Sequence, residues 1–216
     1  LLGGRNKNQS IIFAKLDKRI KIFFMASFEI VGGNRLSGEL VPQGSKNEAL
    51  QILCAVLLSE EEVRVENVPN IRDVNKLIEL LGFLGVRITK ESAEVYTFCA
   101  KNVNIDALHT AEYLKKATEL RGSIMLVGPL LARFGYALVP QPGGDKIGRR
   151  RLDTHYIGFQ KLGAAVSYNA NLQSYEVKAK KLEGCYMLLD EASVTGTANI
   201  VMAAVMAEGK TTIFNA

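Results

Sequence analysis

The stretch LQILCAVLLSEEEVRV, residues 50–65, decides the fold: apolar side chains recur at Leu50, Leu53, Cys54, Leu57 and Leu58 with helical spacing, acidic residues follow, and Val63-Arg64-Val65 then alternates as a strand. The same order returns twice. Leu130-Leu131 precedes the strand-like Tyr136–Val139, and Val205-Met206 precedes Thr211–Phe214, at spacings of 73 and 75 residues. In the first two copies a second helix also ends alike, at Leu84-Gly85 and Leu162-Gly163, and two strand-like segments follow each. In the first copy these are Val86–Thr89 and Val95–Phe98, joined by the polar turn 90–94. The pattern predicts a pseudo-repeat of about 75 residues, helix–strand–helix–strand–strand, present about two and a half times. One such unit cannot bury its helix faces alone, so the copies are expected to turn their helices inward and their sheets outward. Ahead of the first copy, Phe28–Val31 reads as a short strand ended by Gly32-Gly33.

Composition narrows the classes. Of 216 residues, 48% are apolar and 23% charged, which suits a globular protein, and no apolar run reaches the ~18–20 residues of a membrane helix. The formal charge of +5 suggests nucleic acid or an acidic surface until its position is examined. Six basic residues (Arg5, Lys7, Lys15, Lys18, Arg19, Lys21) against Asp17 place the whole excess in residues 1–24; the remainder is neutral. That leader is read as non-native or disordered, with Met25 as the start of the folded protein, and no nucleic-acid or membrane partner is expected. Cys54, Cys99 and Cys185 form neither a metal-ligand spacing nor an even disulfide set, and are read as buried thiols of a reducing cytoplasm.

Each copy sets polar or cationic residues where its first helix begins: Lys46-Asn47, then Arg121, then Ser193-Val194-Thr195-Gly196-Thr197. Helix starts carry unpaired N–H groups and partial positive charge, so these suit phosphate or carboxylate; plain capping by Ser45 and Ser193 is the simpler alternative. A further stretch, PGGDKIGRRRLDTH at 142–155, combines three glycines, one carboxylate at the tip and four cations. It fits a closing loop with an acid/base group and a phosphate clamp, or equally a surface turn followed by a solvated charge run. His155 and His109 each read as ordinary structural histidines, and His109, near the irregular segment 106–113, has no evident partner.

The strings GSKNEAL (44–50), NVPNIRDV (67–74), LRGSIMLVGPLLARFG (120–135), PGGDKIGRRRLDTH (142–155) and SVTGTAN (193–199), in this order from Met25 to Ala216, resemble the UDP-N-acetylglucosamine enolpyruvyl transferases. The related enolpyruvylshikimate phosphate synthases share a similar G-S-K element, but Asn47 and the P-G-G-D loop favour the sugar-nucleotide family. The resemblance implies an inside-out α/β barrel built from βαβαββ-like repeats, as one domain of two, with residues 25–43 pairing with a second domain absent from this chain. It implies transfer of the enolpyruvyl group of phosphoenolpyruvate to the 3′-hydroxyl of UDP-N-acetylglucosamine, an early step of bacterial peptidoglycan precursor synthesis, without metal or organic cofactor. Alternatives are the shikimate-pathway reaction and an inactive fragment that only binds UDP-sugar.

Carried over position by position, the resemblance assigns Lys46 and Arg150 to phosphoenolpyruvate, Asn47 to the sugar and Arg121 to the anion pocket. Arg150, Arg151, Leu152, Asp153 and Thr154, with Ser193 and Val194, fall to the uridine diphosphate, and Asp145 to the proton donor. Asp145 stands where most members carry cysteine and some aspartate, which implies low sensitivity to fosfomycin, an epoxide that alkylates the cysteine form. An acid donor must be protonated, yet the ordinary Asp value is near 3.9 and Lys146 and Arg149–Arg151 favour the anion, so protonation is expected to follow substrate binding. Glu191 departs from the lysine of some members, and Gly122 is a minor departure.

Overall fold

A computed structural model describes residues 29–141 and 151–216 apart from positions 34 and 36. The leader 1–24 therefore lies outside the described residues, as do Asp145 and Arg150. The chain divides at Val41/Pro42, and every helix and strand below belongs to Pro42–Ala216. Glu29–Val31 joins none of the described sheets, contrary to the strand expected there. A strand exists only as part of a ladder, and Glu29–Val31 have no ladder partner among the described residues.

In the first copy, helix α1 (Lys46–Ala55) starts where Ser45 leaves the extended region and its Oγ accepts the Glu48 N–H. A 3₁₀ turn, Val56–Leu58, carries the helix on, and Leu53, Cys54 and Leu57 are fully buried. Strand β1 (Glu62–Val65) follows, then α2 (Arg72–Phe83), which buries Val74, Leu77, Leu80 and Leu81 at helical spacing. Gly85 ends it at φ +93°, with Asn102 O only 2.4 Å from where a Cβ would stand, so no side chain fits. Strands β2 (Arg87–Lys90) and β3 (Tyr96–Cys99) complete an antiparallel sheet of order β1-β3-β2, in which Val63, Phe98 and Ile88 lie in register.

The second copy repeats this after an insertion. A 3₁₀ turn, Asp106–His109, leads to α3 (Ala111–Thr118), capped by Thr110 and anchored by buried Tyr113 and Ala117. The segment expected to be irregular is thus helical from Ala111, because one cap and two buried residues suffice when a neighbouring layer receives them. A 3₁₀ segment, Arg121–Leu126, then runs into α4 (Val127–Phe134), ended by Gly135 at φ +66°. Strand β4 (Tyr136–Pro140), helix α5 (Asp153–Lys161), β5 (Ala165–Asn169) and β6 (Ser174–Lys178) give the order β4-β6-β5, again with the last strand in the middle. The third copy contributes β7 (Tyr186–Leu188), α6 (Val194–Ala204) and β8 (Thr212–Phe214), with β7 and β8 parallel.

The helices form the centre. Helix α6 packs on α4, α5 and α1, and α1 also packs on α2 and on the 121–126 segment. Two glycines set the spacing: a Cβ on Gly128 would stand 2.3 Å from Asn199 O, and one on Gly158 would stand 2.2 Å from Ile200 Cδ1. The sheets lie outside, and in β1 Glu62 and Arg64 face solvent while Val63 and Val65 pack on the core. This is an inside-out α/β barrel of βαβαββ-like repeats, as the repeat in the sequence predicts. Of the three cysteines only Cys54 is fully buried; Cys99 and Cys185 are half-buried, which corrects their reading as a buried set.

Candidate functional site

Gly44 fits against the 67–70 turn, where Asn67 takes φ +56° and its carbonyl oxygen would lie 2.0 Å from a Cβ on Gly44. That contact aims the start of α1 at the start of α2, and Lys46 Nζ meets Asp73 Oδ2 at 3.2 Å. Asn47 is exposed on the first turn of α1. Leu50, one turn into α1 from Lys46, lies 3.3 Å from the place a Cβ on Gly122 would take, so Arg121 enters its 3₁₀ segment beside that first turn. The 3₁₀ segment that Arg121 opens is thereby packed against α1.

The third start adjoins α5. Ser193 caps α6 by accepting the Gly196 N–H at 3.1 Å, and a Cβ on Gly196 would stand 3.1 Å from Thr154 Cγ2. Thr154 Oγ1 donates to Asp190 Oδ1 at 2.8 Å, while Arg151 binds Asp153 at 2.8 Å and the other Asp190 oxygen at 3.1 Å. The Asp153 hydrogen bond and the charges of Asp153 and Asp190 hold the Arg151 guanidinium in its charged form. As placed here, Arg151 is matched by two carboxylates, Asp153 on Nε and Asp190 on Nη2. Leu152 is half-buried, and Val194 and Glu191 are exposed.

Asn199 joins these pieces from inside. Its Oδ1 accepts the Gly128 N–H at 2.8 Å, and its Nδ2 donates to Ile124 O at 2.8 Å and reaches His155 Nδ1 at 3.0 Å. His155 is 2% exposed. Burial first, and the nearby Arg121 charge second, push its imidazole down to about 4. The folded protein therefore keeps His155 neutral while an unfolded chain, with an ordinary value of 6.5, takes up a proton. The unfolded state then binds more protons below pH 6.5, and stability falls as pH drops from 6.5 toward 4, by up to about 3 kcal/mol from this group. Thermal unfolding of the chain and of His155→Asn, which keeps an acceptor for Asn199, should show a flatter dependence in the variant across that window. Parallel curves would refute the assignment.

Sequence reasoning missed Asn199, Asp190 and Asp73. A polar residue inside the apolar run Ala198–Ala204 is the one signal that marks Asn199. His109 does have a partner: its ring stacks on Tyr136 at 5.5 Å, in keeping with a structural role.

Fold and site together define a class: a helix-cored barrel of α/β repeats, two of them complete, with Lys46 and Arg121 at two of the helix starts. The sequence profile of the family described as EPSP synthase (3-phosphoshikimate 1-carboxyvinyltransferase) matches residues 30–216, and the chain belongs to that family. Solved structures agree on the fold. The enolpyruvyl transferase NikO from Streptomyces tendae has a TM-score of 0.67 at 22% identity, covering 84% of this chain and 42% of its own. An EPSP synthase from Acinetobacter baumannii has a TM-score of 0.61 at 17% identity, covering 82% and 40%. In sequence the chain is most informatively similar to UDP-N-acetylglucosamine 1-carboxyvinyltransferases. That of Bacteroides fragilis is 61% identical over 192 residues, 89% of this chain and 44% of the relative. That of Porphyromonas gingivalis is 58% identical with the same coverage. The chain thus spans under half the length of the curated relatives it matches.

Proposed function

We propose that the chain is the N-terminal part of a UDP-N-acetylglucosamine 1-carboxyvinyltransferase, acting in bacterial peptidoglycan precursor synthesis in the cytoplasm. The observation that supports this reading is the packing of the Arg121 segment and the Ser193-capped start of α6 around one buried Asn199–His155 pair, in a chain 58–61% identical to relatives of that name. In the reaction, a proton passes to the methylene carbon of phosphoenolpyruvate while the sugar 3′-hydroxyl releases its proton to a base and its oxygen bonds to the neighbouring carbon, giving a tetrahedral adduct. Loss of a proton from the new methyl group and of phosphate from the adduct restores the double bond. Negative charge leaves with the phosphate in the second step, so cations around the phosphate are required, together with an acid for the methylene carbon and a base for the hydroxyl and methyl protons.

Lys46 and Arg150 are assigned to phosphoenolpyruvate, Arg121 to the anion pocket and Asn47 to the sugar. Arg150–Thr154, Ser193 and Val194 are assigned to the uridine diphosphate, and Asp145 is the donor. A second domain beyond this chain is proposed to complete the cleft and to pair with residues 25–43.

The test is phosphate release from phosphoenolpyruvate by the full-length protein. Release that requires UDP-N-acetylglucosamine supports the reading; release that requires shikimate 3-phosphate replaces it with the synthase reaction. With Asp145 in the donor position, fosfomycin is expected to cause no time-dependent inactivation, because a carboxylate opens the epoxide far less readily than a thiolate. Rapid inactivation would remove Asp145 from that role.

A further inference from the structure

Three helix starts meet at one side chain that touches no expected substrate group. Asn199 lies on the second turn of α6 and is completely buried. Its oxygen is committed to the Gly128 N–H at the start of α4, and one amide hydrogen to Ile124 O in the segment begun by Arg121. Those two backbone partners fix which end of the amide is oxygen, since Nδ2 can only donate and Oδ1 can only accept. The remaining amide hydrogen therefore goes to His155 Nδ1, 3.0 Å away, and that nitrogen must be the acceptor. The ring proton is left on Nε2.

We propose that Asn199 is a positioning residue of the anion pocket: its amide ties the starts of α4, α5 and α6 together and holds His155 as an Nε2–H donor beside Arg121. The assignment of the pocket rests on the reading given under Proposed function; the tautomer does not. Two features make the arrangement sensitive. A second cation beside Arg121 is avoided because His155 stays neutral, in keeping with its downward shift. A lone pair toward a bound anion is avoided because the Nδ1 side is already occupied. An aliphatic residue would leave the Gly128 N–H and Ile124 O unpaired inside the core, and an aspartate would accept from Gly128 but could not donate to His155.

The chain contains only two histidines, so ¹⁵N spectra of the imidazoles are assignable with a His109→Gln variant. In the wild-type chain the His155 ring is expected to be neutral and protonated on Nε2 at pH 6. A ring protonated on Nδ1 would overturn the proposal without recourse to any variant or substrate. In Asn199→Asp the proton is expected to move to Nδ1 and the titration to rise from about 4 to above 6.5; an unchanged tautomer would also overturn it. In the full-length protein at pH 8, KM for UDP-N-acetylglucosamine should rise roughly 10- to 100-fold in Asn199→Asp, with kcat changed much less. A merely structural role would lower the folded fraction and hence kcat, leaving KM alone, and that pattern would count against positioning. An Nε2–H tautomer in a protein with no affinity for the sugar nucleotide would instead defeat the functional reading.

Discussion

Replacing Gly128 with alanine is expected to destabilise the chain by about 3 kcal/mol or more, among the largest effects available to a single methyl group. The added Cβ would lie 2.3 Å from Asn199 O and 2.5 Å from Asn199 Oδ1, whereas real Cβ contacts essentially never fall below 3.0 Å. The first of these obstacles is backbone, so relief requires α4 and α6 to separate. Separation in turn breaks the 2.8 Å bond from Gly128 N–H to Asn199 Oδ1 and leaves two buried polar groups unpaired. Gly158 offers the control. Its Cβ would meet Ile200 Cδ1 at 2.2 Å, but Ile200 Cβ is 3.6 Å away, so Gly158→Ala should be rescued in part by Ile200→Ala while Gly128→Ala should have no such partner. Urea denaturation of the four variants reads the difference; a Gly128→Ala midpoint equal to wild type would mean that the close approach does not limit packing.

Lys46→Ala in the full-length protein should lower kcat/KM by about 10²- to 10³-fold, the usual cost of removing a preorganised group that meets developing charge. Stability should hardly move. The Lys46–Asp73 pair leaves both side chains more than 40% exposed, and exposed pairs contribute about 0–1 kcal/mol. Asp73→Asn removes the carboxylate partner and keeps the ammonium, so it separates loss of the ion pair from loss of the cation: its thermal midpoint should match that of Lys46→Ala. A Lys46→Ala enzyme that keeps more than about a tenth of wild-type kcat/KM would sink the assignment of this lysine to phosphoenolpyruvate.

Much of the fold was legible because its signals are local. Leu53, Cys54 and Leu57 repeat at helical spacing, Ser45 and Ser193 are good caps, and Gly85 and Gly163 stop two equivalent helices at φ +93° and +95°. These are properties of a few adjacent residues, and their recurrence every 75 or so residues exposed the architecture. Strand order followed the same rule in both complete copies, but that the last strand takes the middle place was not legible, since both orders present the same alternation. Of the strand expected at Phe28–Val31, the described residues Glu29–Val31 join no ladder within this chain, and local preference without a ladder does not make a strand.

At the site, position in sequence marked the cations and missed what holds them. Lys46 and Arg121 were visible as first residues of helical segments, and Ser193 as the cap of a third. Asp73 facing Lys46, and Asp190 facing both Arg151 and Thr154, were not, because the partners come from separate elements.

By itself, then, the sequence determined the repeat, the helix starts and the cations placed on them, all written in spacings of a few residues. Only the tertiary structure decided that the starts of α4, α5 and α6 and the segment begun by Arg121 share one buried amide. Asn199 reaches 71 residues back to Gly128 and 44 back to His155, and such a contact depends on how closely α4, α5 and α6 approach, a distance no local pattern encodes.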